Sequence, residues 1–391
     1  MKFAPALLLA GALLAQAEVT LVLPFFNLTE DANLNWIGES IGESIRDTVA
    51  AEGMLTTGRD DRLEAYRRLS IRPYSRMTKA SVLKMAEVVD ADQAIYGTFQ
   101  LEPSQRADSR GNLRITAQIL DLRRIRSGPE FLAVGSLEDL AALQTHISWQ
   151  TLQFLIPKSA PGEEEFRQRR PPIRVDAIEY YIRGILSSKE EQRLHLLSQA
   201  ARLDTTYSAP AFELGRLQWD KKNYRVAAEW FERVAPTDRR YREAMFFRGA
   251  ARFYLGEYAA AESAFEGVAR DLPLNEVFNN LGAAQSRRGL PAAIENFLRA
   301  HEGDQNEPVY LFNLAYAYFK RSDFENGAKW FRELLERDPD DQMATYLLGR
   351  CLQKAPLKSG EVKVENLERL THQFEESAYL QLRSILQKGG K

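Results

Sequence analysis

Few side chains in this sequence could do chemistry. There are four histidines, His146, His195, His301 and His372, and one cysteine, Cys351. A helical zinc site needs two imidazoles four residues apart with a carboxylate between them, and these histidines lie in four separate elements. Each is expected at the surface or at a cap. A single cysteine rules out an internal disulfide and a cysteine-rich metal site. Within LLGRCLQ it sits on an apolar helical face and reads as a small buried hydrophobe. Asp60 and Asp61 are adjacent in GRDDRLEAY. Neighbours along a helix point in different directions, so they are expected as favourable charge at a helix start, not as an acid–base pair. Asn27-Leu28-Thr29 fits a glycosylation sequon but reads as turn chemistry. No catalytic residue, metal or cofactor is expected, and the chain is read as non-enzymatic.

The stretch NWIGESIGESIRDTVAAEG (35–53) raises a different chemistry, because an apolar strand, glycines and a helix are how phosphate loops are built. A dinucleotide fingerprint needs its glycines in the turn directly after the strand. Gly38 and Gly42 come about a dozen residues after Phe26, inside the helix whose apolar face is Ile37, Ile41, Ile45 and Val49. No Lys-Ser or Lys-Thr follows them. They lie on one face and are expected to let the helix approach its neighbour closely, at about 1 kcal/mol each relative to Ala.

The 391 residues suggest two or three domains. Hydrophobic residues at 45% and charged residues at 27% argue against disorder and against a multispan membrane protein. A formal net charge of -2 gives no global basic excess, and nucleic acid is not an expected partner. The opening MKFAPALLLAGALLAQAE has a basic Lys2, an apolar run from Phe3 to Leu14 and an A-x-A site at Ala15-Gln16-Ala17. That run of about 12 residues is too short to span about 30 Å of hydrocarbon as a helix. Residues 1–17 are expected to be a signal peptide cleaved after Ala17, giving a periplasmic or secreted protein. No integral membrane segment is expected after cleavage.

The amino-terminal half alternates between two periods. Val19 to Phe26 is β-branched and apolar, hence a buried strand. A helix follows, with Asn33 as N-cap and Gly53 at its C-terminal end. Ser81 to Asp90 reads as a helix with Val82, Met85, Ala86 and Val89 on one side. Gln93 to Leu101 places Ile95, Phe99 and Leu101 on one face. NLRITAQILDL puts Leu113, Ile115, Ala117 and Ile119 inward, and the two strands read as a long-looped hairpin. FLAVGS adds an adjacent strand, and Leu137 to Leu155 a closing helix. The result is an α+β domain, a mixed sheet with flanking helices. VLPFFNLT (22–29), ADQAIYGTF (91–99) and RITAQILD (114–121) resemble the motifs of TolB amino-terminal-like domains over 18–156. No β-propeller repeats follow. The resemblance implies a non-enzymatic cell-envelope module that contacts other proteins.

Residues 157–175, rich in proline with an acidic run and three arginines, read as a linker with a solvated basic cluster. Beyond it the chain repeats. Small residues at Gly215, Gly249, Gly282, Ala315 and Gly349 fall 33 or 34 residues apart. Aromatics at Phe231, Phe265, Phe297 and Phe331 follow in register, each with a small residue four before it (Ala227, Ala261, Ala293, Gly327). A weaker unit, EYYIRG with LSQAARLD, precedes them. LERLTHQFEESAYLQLRSIL is expected to supply a last second helix and a cap. This spacing resembles tetratricopeptide (TPR) repeats, W-x2-L-G-x2-Y then A-x3-F then P at period 34. The first-position Trp is replaced by Ala211, Met245, Phe278 and Leu311. The resemblance implies an all-α superhelical solenoid over 176–390 with carboxyl-terminal capping helices, in which stacked units share one core.

By analogy with that family, first-helix positions line a concave groove. Here they are Phe212, Arg216 and Trp219; Phe246, Phe253 and Tyr254; Asn279 and Arg287; Phe312, Tyr316, Phe319 and Lys320; Tyr346 and Arg350. Aromatics with interspersed Arg and Lys suit an extended peptide with apolar anchors and an acidic end. The Lys/Asn carboxylate clamp of chaperone-tail-binding repeats is not reproduced. The expected function is an exported scaffold or adaptor in envelope assembly or transport. Its partner is a peptide tail, a folded protein or a second copy of the chain. The competing expectation is an accessory subunit or enzyme of envelope carbohydrate or peptide processing, with a site between the two domains. The scaffold reading requires the concave wall to be free.

Overall fold

In the computed structural model, residues 18–383 are described apart from 30, 104–109, 125, 171, 357–364, 377 and 381. The expected leader, 1–17, lies outside the described residues. The chain divides into two units, Met1–Val175 with Ser377–Lys391, and Asp176–Glu376.

The first unit is built on one mixed sheet. Its elements are β1 (Val19–Val22), β2 (Phe26–Asn27), α1 (Asn35–Ala51), β3 (Leu55–Thr56), α2 (Arg59–Arg68), α3 (Lys79–Val88), β4 (Gln93–Glu102), β5 (Asn112–Asp121), β6 (Arg126–Ser136), α4 (Leu140–Leu155) and α5 (Glu163–Gln168). The strand order is β3-β1-β4-β5-β6, with β2 also on β4. β1 pairs parallel with β3 and β4, while β4-β5 and β5-β6 are antiparallel. The period-2 pattern places alternate residues on opposite faces. Leu21, Leu23, Ala94 and Leu120 pack with Ala65, Tyr66, Val82 and Met85 of α2 and α3. Phe99 instead lies beneath α1, close to Gly38.

The glycines of α1 serve close approach, and what they approach is strand backbone. A Cβ on Gly38 would stand 2.0 Å from the Phe25 carbonyl oxygen, and one on Gly42 3.1 Å from that of Leu23. The Phe25 N–H donates to the Gly38 carbonyl at 3.1 Å, so the helix is bonded to the segment it covers. That segment is not the single strand expected over Val19–Phe26. It breaks at Leu23-Pro24-Phe25, where proline has no N–H to give the ladder. The expected Asn33 cap is also absent. A 3-10 turn capped by the Asp31 side chain leads into α1. Asn27 works as a turn residue, accepting from the Thr29 N–H at 2.8 Å and donating to Asn35.

Within the 157–175 stretch, expected as a linker, a short helix forms at Glu163–Gln168. Its Phe166 is 1% exposed, and the Arg170 guanidinium lies 3.7 Å over that ring. Three glutamates in the first turn favour this short helix.

The second unit is a row of helical hairpins. They are α6 (Val175–Leu186), α7 (Glu190–Leu203), α8 (Ser208–Asp220), α9 (Tyr224–Phe231), α10 (Tyr241–Tyr254), α11 (Tyr258–Asp271), α12 (Asn275–Arg287), α13 (Ala292–Gly303), α14 (Pro308–Lys320), α15 (Phe324–Arg337) and α16 (Gln342–Leu352). The repeated glycine has a specific steric role. A Cβ on Gly215, Gly249 or Gly282 would fall 2.6, 2.9 or 2.8 Å from the ring of Phe231, Phe265 or Phe297. Each of these three hairpins is thus locked by a ring seated in the notch of its own first helix. Successive first helices α8, α10, α12, α14 and α16 touch one another and form one wall. The expected helix and cap over 367–386 are not formed at Leu367–Glu375, which run extended.

Candidate functional site

That extended segment lies along the wall of first helices. The expectation of a free concave wall is therefore overturned: residues 365–376 of the same chain occupy it. The segment runs from α16 back toward α10, and its main chain is read by asparagines. The Asn313 amide donates to the Arg369 carbonyl at 2.7 Å and accepts the Arg369 N–H at 2.8 Å. Asn280 repeats this two residues on, donating to the Thr371 carbonyl and accepting the Thr371 N–H, both at 2.9 Å. Asn279 donates to the Arg369 carbonyl at 3.1 Å and accepts from Asn313 at 2.7 Å. Asn279, Asn280 and Asn313 are each 0% exposed. In an extended chain residues two apart point the same way, so amides one repeat apart can serve Arg369 and Thr371 in turn.

Side chains add a second layer. The Glu368 side chain is fully buried; its carboxylate accepts from Ser286 at 2.6 Å and Lys320 at 2.8 Å. Arg287 Nε stands 2.5 Å from it as an ion pair whose angle is not that of an aligned hydrogen bond. Arg369 forms a fork with Asp341 at 2.7 and 3.1 Å, and its guanidinium lies 3.4 Å over the Phe312 ring. Burial works against the Asp341 charge, yet the bonds from Arg369 and the Ala344 N–H outweigh it and hold the carboxyl below its usual range. His372 sits edge-on to Trp219 and meets the Tyr254 hydroxyl at 2.8 Å. Phe374 packs on Phe246 with centroids 5.1 Å apart. The Glu375 N–H donates to Glu276 at 2.8 Å; burial pushes that carboxyl up, and this bond works the other way. Arg242 holds Glu376 at 2.7 Å.

Of the residues expected in the groove, Trp219, Phe246, Tyr254, Asn279, Arg287, Phe312, Tyr316 and Lys320 converge on the segment. Tyr316, its hydroxyl pushed up by burial, meets the backbone of Leu367 and Asn366. Others are placed elsewhere. Phe212 packs edge-on against Phe231, and Phe253 against Tyr258, as hairpin core. Phe319 is 0% exposed within the α14–α16 core. Arg216 lies over Phe247, and Arg350 bonds Tyr346 and the Ala355 carbonyl. Asn280, Asn313, Ser286, Glu276, Arg242 and Asp341 were not among the expected residues. A signal for two of them existed: Asn280 and Asn313 both stand two residues before the repeated small position.

The other reactive side chains stay apart. The buried Cys351 thiol is pushed up to about 11 by burial. His146 pairs with Glu163 at 2.7 Å. His301 departs from the surface placement expected of it: it is 8% exposed against Trp330, and burial lowers its pKa. Asp61 accepts the Gly58 N–H at the start of α2. Among the described residues no group of three or more His, Cys, Asp or Glu could hold a metal ion, and no helix is long and apolar enough to cross a membrane. The first unit has a cavity of about 290 Å3 lined by Phe25, Tyr66, Tyr96 and Gln118 among others.

A family model described as Tetratricopeptide repeat matches residues 212–276, 281–342 and 312–357. Among solved structures, the repeats are similar to YrrB, a TPR protein with an unusual peptide-binding site, at 20% identity and TM-score 0.41, covering 44% of this chain and 91% of that one. They are also similar to MamA 41-end from Desulfovibrio magneticus RS-1, at 22% identity and TM-score 0.39, covering 43% and 97%. No curated protein matches. The chain carries TPR repeats over the matched residues, on the family match and on the hairpin geometry.

Proposed function

We propose that this chain is an exported, non-catalytic scaffold whose TPR groove holds an extended stretch of polypeptide. One observation carries the reading. The asparagine pair Asn280 and Asn313 binds both main-chain edges of residues two apart, an arrangement that recognises an extended chain whatever its sequence. Aromatic slots and charged partners around them add selectivity. Export is supported by the leader-like first 17 residues. The likeness of 18–156 to TolB amino-terminal-like domains supports a second protein-contacting module and a place in the cell envelope. TPR repeats are protein-binding scaffolds, but this groove is filled by residues 365–376 and not free, so the requirement of an open wall is dropped: the occupied wall supports a polypeptide site, which a partner's segment takes in place of the resident one.

The test is cross-linking of the full chain in its native cell, comparing it with the triple variant Asn279→Ala/Asn280→Ala/Asn313→Ala. Circular dichroism checks that the helices persist. Loss of the recovered partners in the folded variant is the expected result. Recovery unchanged from the unaltered chain would sink the reading.

A further inference from the structure

The occupant of the groove belongs to the chain, and its side chains show what the wall selects. One acidic side chain is fully buried, Glu368, held by Ser286, Lys320 and Arg287. Six residues on, Phe374 fills the place against Phe246. Most of the segment between stays partly exposed, so its hold comes from a few points and from the main chain.

Without the segment, the Glu368 site would leave Arg287, Lys320 and Ser286 without that carboxylate. Such a cluster draws an acidic group from any chain laid on the asparagines. Glu365 follows Pro356 by only nine residues, so the segment is tethered to the wall it occupies. A short tether gives an effective concentration on the order of mM. A free peptide of the same affinity is then outcompeted by its resident copy.

We infer that residues 365–376 are a resident competitor in the groove, displaced by a protein partner that presents an extended segment with an acidic residue and, six positions on, an aromatic one. The inference rests on the groove being a peptide site. It adds the chemistry of the partner and the condition under which it binds: the partner must beat a tethered rival or meet the chain with the rival released.

The experiment uses the full chain and a fluorescent peptide ENLERLTHQFEE, measured by anisotropy. Arg369→Glu sets a carboxylate against Asp341 and loosens the resident segment while leaving the wall intact. Glu368→Ala is a second release variant, and circular dichroism monitors both. The peptide is expected to bind each variant about 100-fold more tightly than the unaltered chain. A peptide carrying Glu368→Lys and Phe374→Ala is expected to lose at least about tenfold on the variants. Equal binding to the unaltered chain and both variants would overturn the resident competitor while keeping the groove as a peptide site. Equal binding of the two peptides would overturn the stated partner chemistry. No binding by any folded variant would overturn the peptide site itself, and this inference with it.

Discussion

Asn313→Ala tests whether main-chain recognition holds the segment in place. The Asn313 side chain makes two bonds to Arg369 main chain, at 2.7 and 2.8 Å, and one to Asn279. Alanine removes all three, although the Arg369 carbonyl keeps Asn279 at 3.1 Å. At about 0.5–1.5 kcal/mol per bond, losing the two main-chain bonds costs the docked segment about 2 kcal/mol. That is about 30-fold in its opening equilibrium, at 1.4 kcal/mol per tenfold. Hydrogen exchange reads this best at Thr371, whose own bond to Asn280 is untouched, so faster exchange there reports opening of the segment. Asn313→Asp is the sharper companion. Its carboxylate can still accept the Arg369 N–H, but it faces the Arg369 carbonyl with a second acceptor and should loosen the segment at least as much. Exchange at Thr371 changing by less than about threefold in Asn313→Ala would refute the reasoning. So would acceleration spread equally through α14, which would report loss of the hairpin instead.

Other outcomes follow from the same geometry. Gly38→Ala should destabilise the first unit by about 1–3 kcal/mol in thermal unfolding, because its Cβ meets a fixed carbonyl at 2.0 Å. Gly267→Ala in α11, where the nearest side-chain atom is 4.0 Å away, should be neutral or stabilise by up to about 1 kcal/mol; the same sign for both would refute the packing argument. The Asp341 carboxyl is held below its ordinary 3.8, so its stabilisation is present above that value and lost as pH falls through the lowered folded one. Exchange at Arg369 and Thr371 should therefore accelerate below pH 3.8, beyond the intrinsic pH effect, and Asp341→Asn should remove that part. Cys351, buried with its thiol pushed up to about 11, should resist a thiol reagent at pH 8 in the folded chain and react freely in denaturant; rapid native labelling would contradict its placement.

The parts of the fold that follow from periodicity were legible. Ile37, Ile41, Ile45 and Val49 announce α1, and all four are 0% exposed. Leu113, Ile115, Ala117 and Ile119 announce β5 by alternation. The spacing of Gly215, Gly249 and Gly282 announces the hairpins, because in these three units the missing Cβ makes room for a ring. The groove was legible only in part, because position on a first helix does not say which way packing turns a ring. Phe246 and Phe253 lie on the same helix, one beneath Phe374 and the other against Tyr258. Asn280 and Asn313 were passed over because amides that bind backbone carry no charge or aromatic signature. Only their recurrence at 280 and 313, before the small position, marked them.

The carboxyl-terminal segment shows why a sound local pattern can fail. Leu367, Leu370 and Phe374 recur at helical spacing, as a last second helix of the stack would require. A stretch of about nine residues is too short to hold a helix by itself in water, so its conformation is set by what it lies against. On the wall of first helices, three buried asparagines offer bonds that a helix, with its main chain already paired, could not accept. The extended form satisfies those amides, buries Glu368 between Arg287 and Lys320, and brings Phe374 to Phe246. The same competition would govern any partner: a segment helical when free can bind here only by giving up that helix, and short helices, being marginal, give it up at least cost.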